Sequence, residues 1–429
     1  MHSKQILLLC LMVKITLFTY KVSAQQVLTL EQCRQLALAT NNNLKISQQD
    51  IEGAKAQKAQ AVAEGKPKFD GSVMGFYFGK PLSGILPQYV ASPGVSIRQP
   101  VYAGGKIKLG KEATSKVIEI REAQKIQTTA EVLLKTETAY WQVVSVNEKI
   151  RLAEQFKKQL DTLFTDLNNQ FIAGLTYKND VLRIKVQQND NELNLIRARD
   201  ALVLSKLNLA QIIGRADSVD FTIADSAVGP FNLLQRDTAL QHILTKRPEI
   251  ILLQKSLEVE KIQEKILRAD YKPAIGVSAN GISAFGKKGV NPKKQSTNAM
   301  VSYYGLLNVS IPIFEWGIKK QKIKEQQYRI AAQQFQLKET KELISLEIQQ
   351  AYLQVNESAK RIELSGTSME QAEENLRLSN DRFKAGTIIG KDVLEAQTIW
   401  HQAYSNIIDA KVEYKVNEAN LKKALGEMK

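Results

Sequence analysis

The sequence repeats itself, and the repeat limits the folds open to it. Gln99-Pro100-Val101-Tyr102-Ala103-Gly104-Gly105-Lys106 aligns with Ile311-Pro312-Ile313-Phe314-Glu315-Trp316-Gly317-Ile318. The same spacing carries Phe171, Ala173 and Gly174 onto Phe383, Ala385 and Gly386, and Asp180-Val181-Leu182 onto Asp392-Val393-Leu394. Upstream, Pro67 pairs with Pro273 and Leu44 with Ile250 in a register six residues shorter. One length difference between Pro67 and Pro100 reconciles the two registers, and exposed loops tolerate insertions, so a surface loop is expected there in each half. One supersecondary plan is used twice.

Each half reads in the same order. A modest helical stretch (29–65 and 237–270) precedes two strand-like segments (67–79 and 89–102; 271–285 and 299–314). A very long helical pattern comes next (105–172 and 317–384), then a Gly turn and a second long helix (176–213 and 388–427). Thr29-Leu30-Glu31-Gln32 has the form of a capping box opening the first helix. Residues 214–236, with their Gly229-Pro230 pair, read as an irregular connector. The expected division is therefore 1–24 as an export signal, 25–213 as the first repeat, 214–236 as the connector and 237–429 as the second repeat.

The strands alternate. Val301, Tyr303, Leu307, Val309, Ile311 and Ile313 are apolar at odd positions, with Ser302, Asn308 and Ser310 between them. Ile275, Val277 and Ala279 alternate likewise with Gly276, Ser278 and Asn280. Period two sets one face against an apolar medium and the other against a polar one. The segments reach the 9–11 residues of a membrane strand, although two hairpins of a soluble sheet would read similarly.

The helices carry a heptad seam. Val393, Ala396, Trp400, Ala403, Ile407, Ala410 and Tyr414 follow 3/4 spacing, with Leu421 and Ala424 in register; Ala153, Phe156, Leu160, Leu163 and Leu167 do the same in the first half. A helix over 105–172 extends roughly 100 Å, which no compact domain needs. Its packing must come from neighbouring helices along a rod or tube. Four strands cannot close a barrel, since the smallest use about eight, and hydrocarbon does not tolerate the unpaired edges of an open sheet. If these strands lie in membrane, several chains must share one barrel.

The N-terminus reads as an export signal. Lys4 precedes an apolar run over 6–13, Lys14 interrupts it, and Val22-Ser23-Ala24 offers small residues for cleavage. Downstream there is no apolar run long enough for a transmembrane helix. Of two cysteines, Cys10 leaves with the signal and Cys33 lies in an apolar helical pattern, the setting of a buried, inert thiol. The net charge is +15, but the lysines and arginines are mixed with acids along helical faces without aromatic interleaving, so nucleic acid is not an expected partner. His242 and His401 are far apart, and neither a phosphate loop nor a nucleophile motif stands out. Neither catalysis nor a cofactor is expected.

Several passages together resemble the TolC-like outer-membrane efflux proteins. They are Leu28-Thr29-Leu30-Glu31, Arg247-Pro248-Glu249-Ile250, the Pro-aromatic-Gly passages from Pro100 to Gly105 and from Pro312 to Gly317, and the turns from Phe171 through Leu182 and from Phe383 through Gln397. The resemblance covers nearly the whole mature chain. It implies a mainly α fold with β: a homotrimer in which four strands per chain contribute to one twelve-stranded transmembrane β-barrel, the long coiled-coil hairpins forming a tunnel below. It further implies residence in outer-membrane lipid with the helices in the periplasm, a periplasmic adaptor and an inner-membrane pump as partners, and export of small molecules or proteins. A periplasmic coiled-coil adaptor or scaffold without a pore is the alternative, but it has no need of two alternating strand pairs.

Two sets of residues stand out. Gly174 and Gly386 come after long helices where a left-handed cap is needed, and Thr176 and Thr387 are placed to cap the second helix of each hairpin. The resemblance makes these turns, with Phe171, Asp180 and Phe383, the adaptor-docking tips. It also makes Asp392 and Glu395, which share one helix face, the channel gate. Helix-dipole compensation is the plainer reading of Asp392, because Asp180 repeats it; Glu395 is matched by Arg183 in the other half. Ile388 stands where a basic residue can hold the closed state in family members.

Overall fold

The computed structural model describes residues 26–82, 88–215, 220–224, 240–286 and 298–428. The expected export signal, Cys10, Gly229 and Pro230 lie outside the described residues. The helices come in matched pairs of equal length. Asn42–Ala63 (α2) and Pro248–Ala269 (α6) have 22 residues each, Lys106–Ile172 (α3) and Ile318–Lys384 (α7) have 67, and Lys178–Ile212 (α4) and Gly390–Ala424 (α8) have 35. Shorter helices, Leu30–Thr40 (α1) and Leu240–Lys246 (α5), precede α2 and α6. The single modest helix read at the start of each half is thus broken in two, at Asn41 and before Pro248. Proline lacks an amide hydrogen and suits a first helical turn, as it does in α6; the Asn41 side-chain oxygen instead accepts the Asn43 amide at 2.9 Å. The capping box at Thr29 and Gln32 is formed, with bonds of 3.2 and 3.0 Å.

By contacts the described residues fall into two compact units, and each draws on both halves of the sequence. One comprises segments 45–128 and 239–346. It holds a four-stranded antiparallel sheet of Lys68–Tyr77 (β2), Tyr89–Ala103 (β3), Ala274–Gly286 (β5) and Asn298–Ser310 (β6), in the order β2-β3-β5-β6. The strands of the second hairpin are three residues longer at the tip, while the segments joining them, 78–88 and 287–297, are equal in length. The register decides the faces, since residues directly opposite share one. Tyr303, Gly281 and Val95 lie in one row with Gly71, and Gly305, Ala279 and Ile97 in the next with Phe69. That face is apolar. The other carries Ser72, Ser96, Ser278, Asn280, Ser302 and Asn308, with an Arg98–Asp70 ion pair at 2.5 Å. Val73, Val95, Val301 and Tyr303 on the apolar face are exposed, so the described residues leave that face uncovered. Beside the sheet, polar contacts lace the helices: Lys116 reaches Glu258 at 3.0 Å, Lys255 reaches Glu119 at 2.8 Å, and the buried Gln326 donates to the Glu260 carbonyl at 3.0 Å.

The other unit comprises the described residues of 1–44, 129–238 and 347–429. Its helices bury the heptad seam: Phe156, Leu160, Leu163, Leu167, Val393, Ala396, Trp400, Ala403, Ala410, Tyr414, Leu421 and Ala424 are all buried. Ile407 is only partly buried, and Ile408 takes the interior place beside it. A second core gathers Leu28, Cys33, Tyr140, Trp141, Leu209 and Phe221. Burial pushes the Cys33 thiol up to about 11, an inert state. Gln26–Leu28 (β1) pairs in parallel with Phe221–Ile223 (β4), which lies within the segment read as an irregular connector. Three residues are too few to show alternation; Leu28 and Phe221 hold the pair in place by burying their side chains. Glu137 is buried and receives Arg34 at 2.6 Å, a charge that packing alone would not tolerate.

His401 on α8 lies against the Phe156 ring at 4.6 Å between centroids, and burial holds its pKa below the ordinary 6.5. The folded chain therefore binds this proton more weakly than the unfolded one, and stability falls as pH drops through 6.5 and below. His401→Gln is expected to flatten part of that fall, measured as unfolding midpoints of detergent-solubilised protein between about pH 8 and pH 5.

Candidate functional site

The two helical hairpins turn by the same hydrogen bonds. After α3, Gly174 sits at φ +73°, its amide bonds the Phe171 carbonyl at 3.0 Å, and the Leu175 amide bonds the Gln170 carbonyl at 2.8 Å. After α7, Gly386 sits at φ +72°, its amide bonds the Phe383 carbonyl at 2.9 Å, and the Thr387 amide bonds the Arg382 carbonyl at 3.0 Å. These paired 5→2 and 6→1 bonds satisfy the last carbonyls of each helix, and the left-handed residue between them favours glycine.

The threonines do not cap α4 and α8. The Thr387 hydroxyl donates back to the Arg382 carbonyl at 3.0 Å, and the Thr176 hydroxyl donates to the Asp180 carboxylate at 3.0 Å. The N-cap residues are Tyr177 and Ile389, neither with a side chain that caps. The turn needs its residues after glycine to complete the reversal, which moves each helix start beyond the threonine. Asp180 and Asp392 then occupy the same third helical position. Asp392 accepts the Ile389 amide at 3.3 Å, so it supplies one half of a capping box, while Ile389 has no oxygen for the other half. Its carboxylate serves the helix N-terminus and remains exposed.

Glu395 is exposed one turn further along, and no ion pair joins it to another described residue. The carboxylates of Asp392 and Glu395 thus lie on the outside of α8, while Val393, Leu394, Ala396 and Gln397 between and after them are buried. The two tips differ in their apolar residues. Phe383 and Ile388 pack on the cluster of Phe156, Leu163, Leu167, Ile184 and Val393. At the other tip Ile172, Leu175 and Tyr177 are each at least 75% exposed, and Phe171 is exposed with them.

Gly390 is a further position of consequence that the sequence does not single out. A Cβ there would lie 2.6 Å from a Leu167 methyl, so α8 begins in close contact with α3. Its signal in the sequence is faint, a glycine inside a helix start that reads equally well as part of the turn.

The strand-to-helix turns are asymmetric. Pro100 lies in β3 at the register shift between Pro100 and Tyr102, and Pro312 lies just beyond the end of β6. Gly104 and Gly105 have φ of +65° and +92°. A Cβ on Gly104 would come within 2.6 Å of the Ala269 carbonyl oxygen. In the second half Gly317 has φ +81°, but the position matching Gly104 is Trp316, at φ +46°. Among the described residues, no helix is long and apolar enough to cross a membrane and no cluster of side chains could hold a metal.

The model of the outer membrane efflux protein family matches residues 33–215 and 239–427, once in each half. Outer membrane protein TolC of Escherichia coli (strain K12) is 23% identical over 311 residues, which cover 69% of this chain and 62% of that protein. The match thus spans less than two thirds of that relative's length. Among solved structures, CusC superposes with a TM-score of 0.79 at 15% identity, over 92% of this chain and 91% of that one. The outer membrane channel CmeC of Campylobacter jejuni superposes with a TM-score of 0.76 at 18% identity, over 93% and 85%. With the family model matched over most of its length and in both repeats, the chain belongs to the outer membrane efflux protein family.

Proposed function

We propose that three copies of this chain close one twelve-stranded outer-membrane barrel and form a conduit for export, fed through a periplasmic adaptor by an inner-membrane pump. The observation that carries this reading is the sheet, apolar on one face, polar on the other, and free along β2 and β6. In hydrocarbon each unpaired backbone group costs several kcal/mol. Pairing β6 of one copy with β2 of the next removes every edge and turns the polar face toward a water-filled interior. The two edges are different, so the contact is head-to-tail and has to close as a ring.

A stripe on α4 supports self-association independently. Leu182, Val186, Leu193, Ile196, Val203 and Leu207 are exposed and keep heptad spacing, with Asn189 and Asp200 at the intervening positions. Such a seam asks for another helix. Within the assembly, Asp392 and Glu395 would form rings of carboxylates at the narrow end of the conduit, favouring cations. The Gly174 and Gly386 tips would present their exposed side chains to the adaptor.

In planar bilayers the protein is expected to conduct cations selectively, and Asp392→Asn/Glu395→Gln to raise conductance or abolish selectivity; unchanged selectivity would remove the gate and keep the channel. Leu193→Glu/Ile196→Glu is expected to lower the trimer fraction at least about tenfold, because two buried aliphatic side chains contribute about 1.5–3 kcal/mol each. Crosslinking would report this, and a persistent trimer would dismiss the stripe. Gly174→Pro and Gly386→Pro, which cannot take a positive φ, are expected to lose adaptor crosslinking and export while leaving barrel insertion intact.

A further inference from the structure

The junction between β6 and α7 differs from its counterpart in a way that the repeat does not require. Where the first half has Gly104 at φ +65°, the second has Trp316 at φ +46°. A bulky side chain in the left-handed region is strained, and such strain persists where something else is gained. Within the chain little is gained, since Trp316 is 89% exposed and touches the ring of Phe314, itself exposed, at 5.0 Å between centroids.

The surroundings of Trp316 supply the reason. The apolar row Val301, Tyr303, Leu307 and Val309 on β6 continues past the strand end as Ile311 and Ile313, also exposed. Phe314 and Trp316 come next, and then Lys319, Lys320, Lys322 and Lys324 in the first turns of α7. Lys319 pairs with Glu315 and lies 5.4 Å from the Tyr271 ring centroid. Lys320 and Lys322 are exposed and form no ion pair with a described residue. In the first half Lys320 is matched by Lys108, but the positions matching Lys319, Lys322 and Lys324 are Ile107, Gly110 and Glu112, and no aromatic side chain stands at Gly104. The sequence of apolar row, aromatic pair and lysines reproduces the order of hydrocarbon, interface and anionic headgroup along a membrane normal.

We infer that this junction is a binding site for anionic glycerophospholipid, with Trp316 and Phe314 at the acyl–headgroup boundary and Lys320 and Lys322 on the phosphate. Resting on the outer-membrane reading, it adds one lipid site per copy, from the second half alone. The lipid surface is the occupant because the basic cluster is continuous with the apolar face of the sheet.

The test uses tryptophan emission of the full chain in vesicles. Of three tryptophans, Trp141 and Trp400 are buried in the helical unit, so Trp316 alone is open to a quencher. Vesicles of phosphatidylcholine would carry bromine near the headgroup end of the acyl chain, either on phosphatidylglycerol or on phosphatidylcholine. Both are expected to quench, with brominated phosphatidylglycerol about twofold or more effective at equal mole fraction. Trp316→Gly, which suits the backbone, should insert and conduct but lose the quenching. Lys320→Glu/Lys322→Glu should equalise the two lipids. Equal quenching by both lipids in the unmodified protein would overturn the headgroup site, as would a Trp316 quenched by aqueous iodide and untouched by bromolipid. Failure to insert or conduct would overturn the outer-membrane reading along with the site; insertion with an unquenched Trp316 would overturn the site alone.

Discussion

The backbone hydrogen bond governs this structure more than any side chain does. A four-stranded sheet pairs its inner strands fully and leaves one donor–acceptor row open on β2 and another on β6. In water those rows would be solvated, and the sheet would need only a cover over its apolar face. Among the described residues nothing covers the apolar face, where Val73, Val95, Val301 and Tyr303 stay exposed. A sheet that is apolar on one face, polar on the other and open at both edges is stable in a bilayer only when other copies complete it. The duplication serves the same requirement, since each half brings one hairpin and the central β3–β5 pairing joins them without using up the outer edges.

The helices meet a different constraint. At 67 residues, α3 and α7 have too much surface for a core of ordinary depth, so the helices bury a narrow seam in which alanine recurs: Ala153, Ala396, Ala403, Ala410, Ala424. Small residues let helix axes approach, and between them Phe156, Trp400 and Tyr414 fill the wider gaps. The hairpin ends show the same economy of space. At Gly390 even one methyl group would strike Leu167, so the start of α8 is fixed by contact as much as by the turn before it.

Most of the fold was legible in the sequence because its signals are long. Periods of two and of 3/4 sustained over whole strands and helices place the elements within a few residues, and the repeat allows each half to check the other. The features that escaped were short or local. The three-residue β1–β4 pair carries no period. The true caps at Tyr177 and Ile389 are residues without capping side chains, chosen by the geometry of the turn over the threonines nearby. The close contact at Gly390 and the left-handed Trp316 depend on which atoms lie opposite, which spacing does not reveal. Asp392 and Glu395, which spacing puts on one helix face, are both exposed on α8. The structure adds that Asp392 is already engaged at its own helix end while Glu395 has no ion-pair partner among the described residues.

Symmetry within the chain makes its departures informative. Residues that the fold needs occur in both halves, as do Gly174 with Gly386 and Asp180 with Asp392, each pair making turns or positions of the same kind. Where the halves differ at matched positions, the fold has already been satisfied by the other copy, and the difference requires a separate cause. Arg183 against Glu395 and Gly104 against Trp316 are such positions, one at a hairpin tip and one where strand passes into helix. Three chains carrying two alike halves would approach sixfold symmetry. In the proposed trimer these substitutions would reduce it to threefold, placing Glu395 on one hairpin of each copy and Trp316 at one junction. If such a trimer were narrowed by three of its hairpins, as proposed above, it would need that reduction, because six identical hairpins would offer no distinction between those that hold the wall and those that close it.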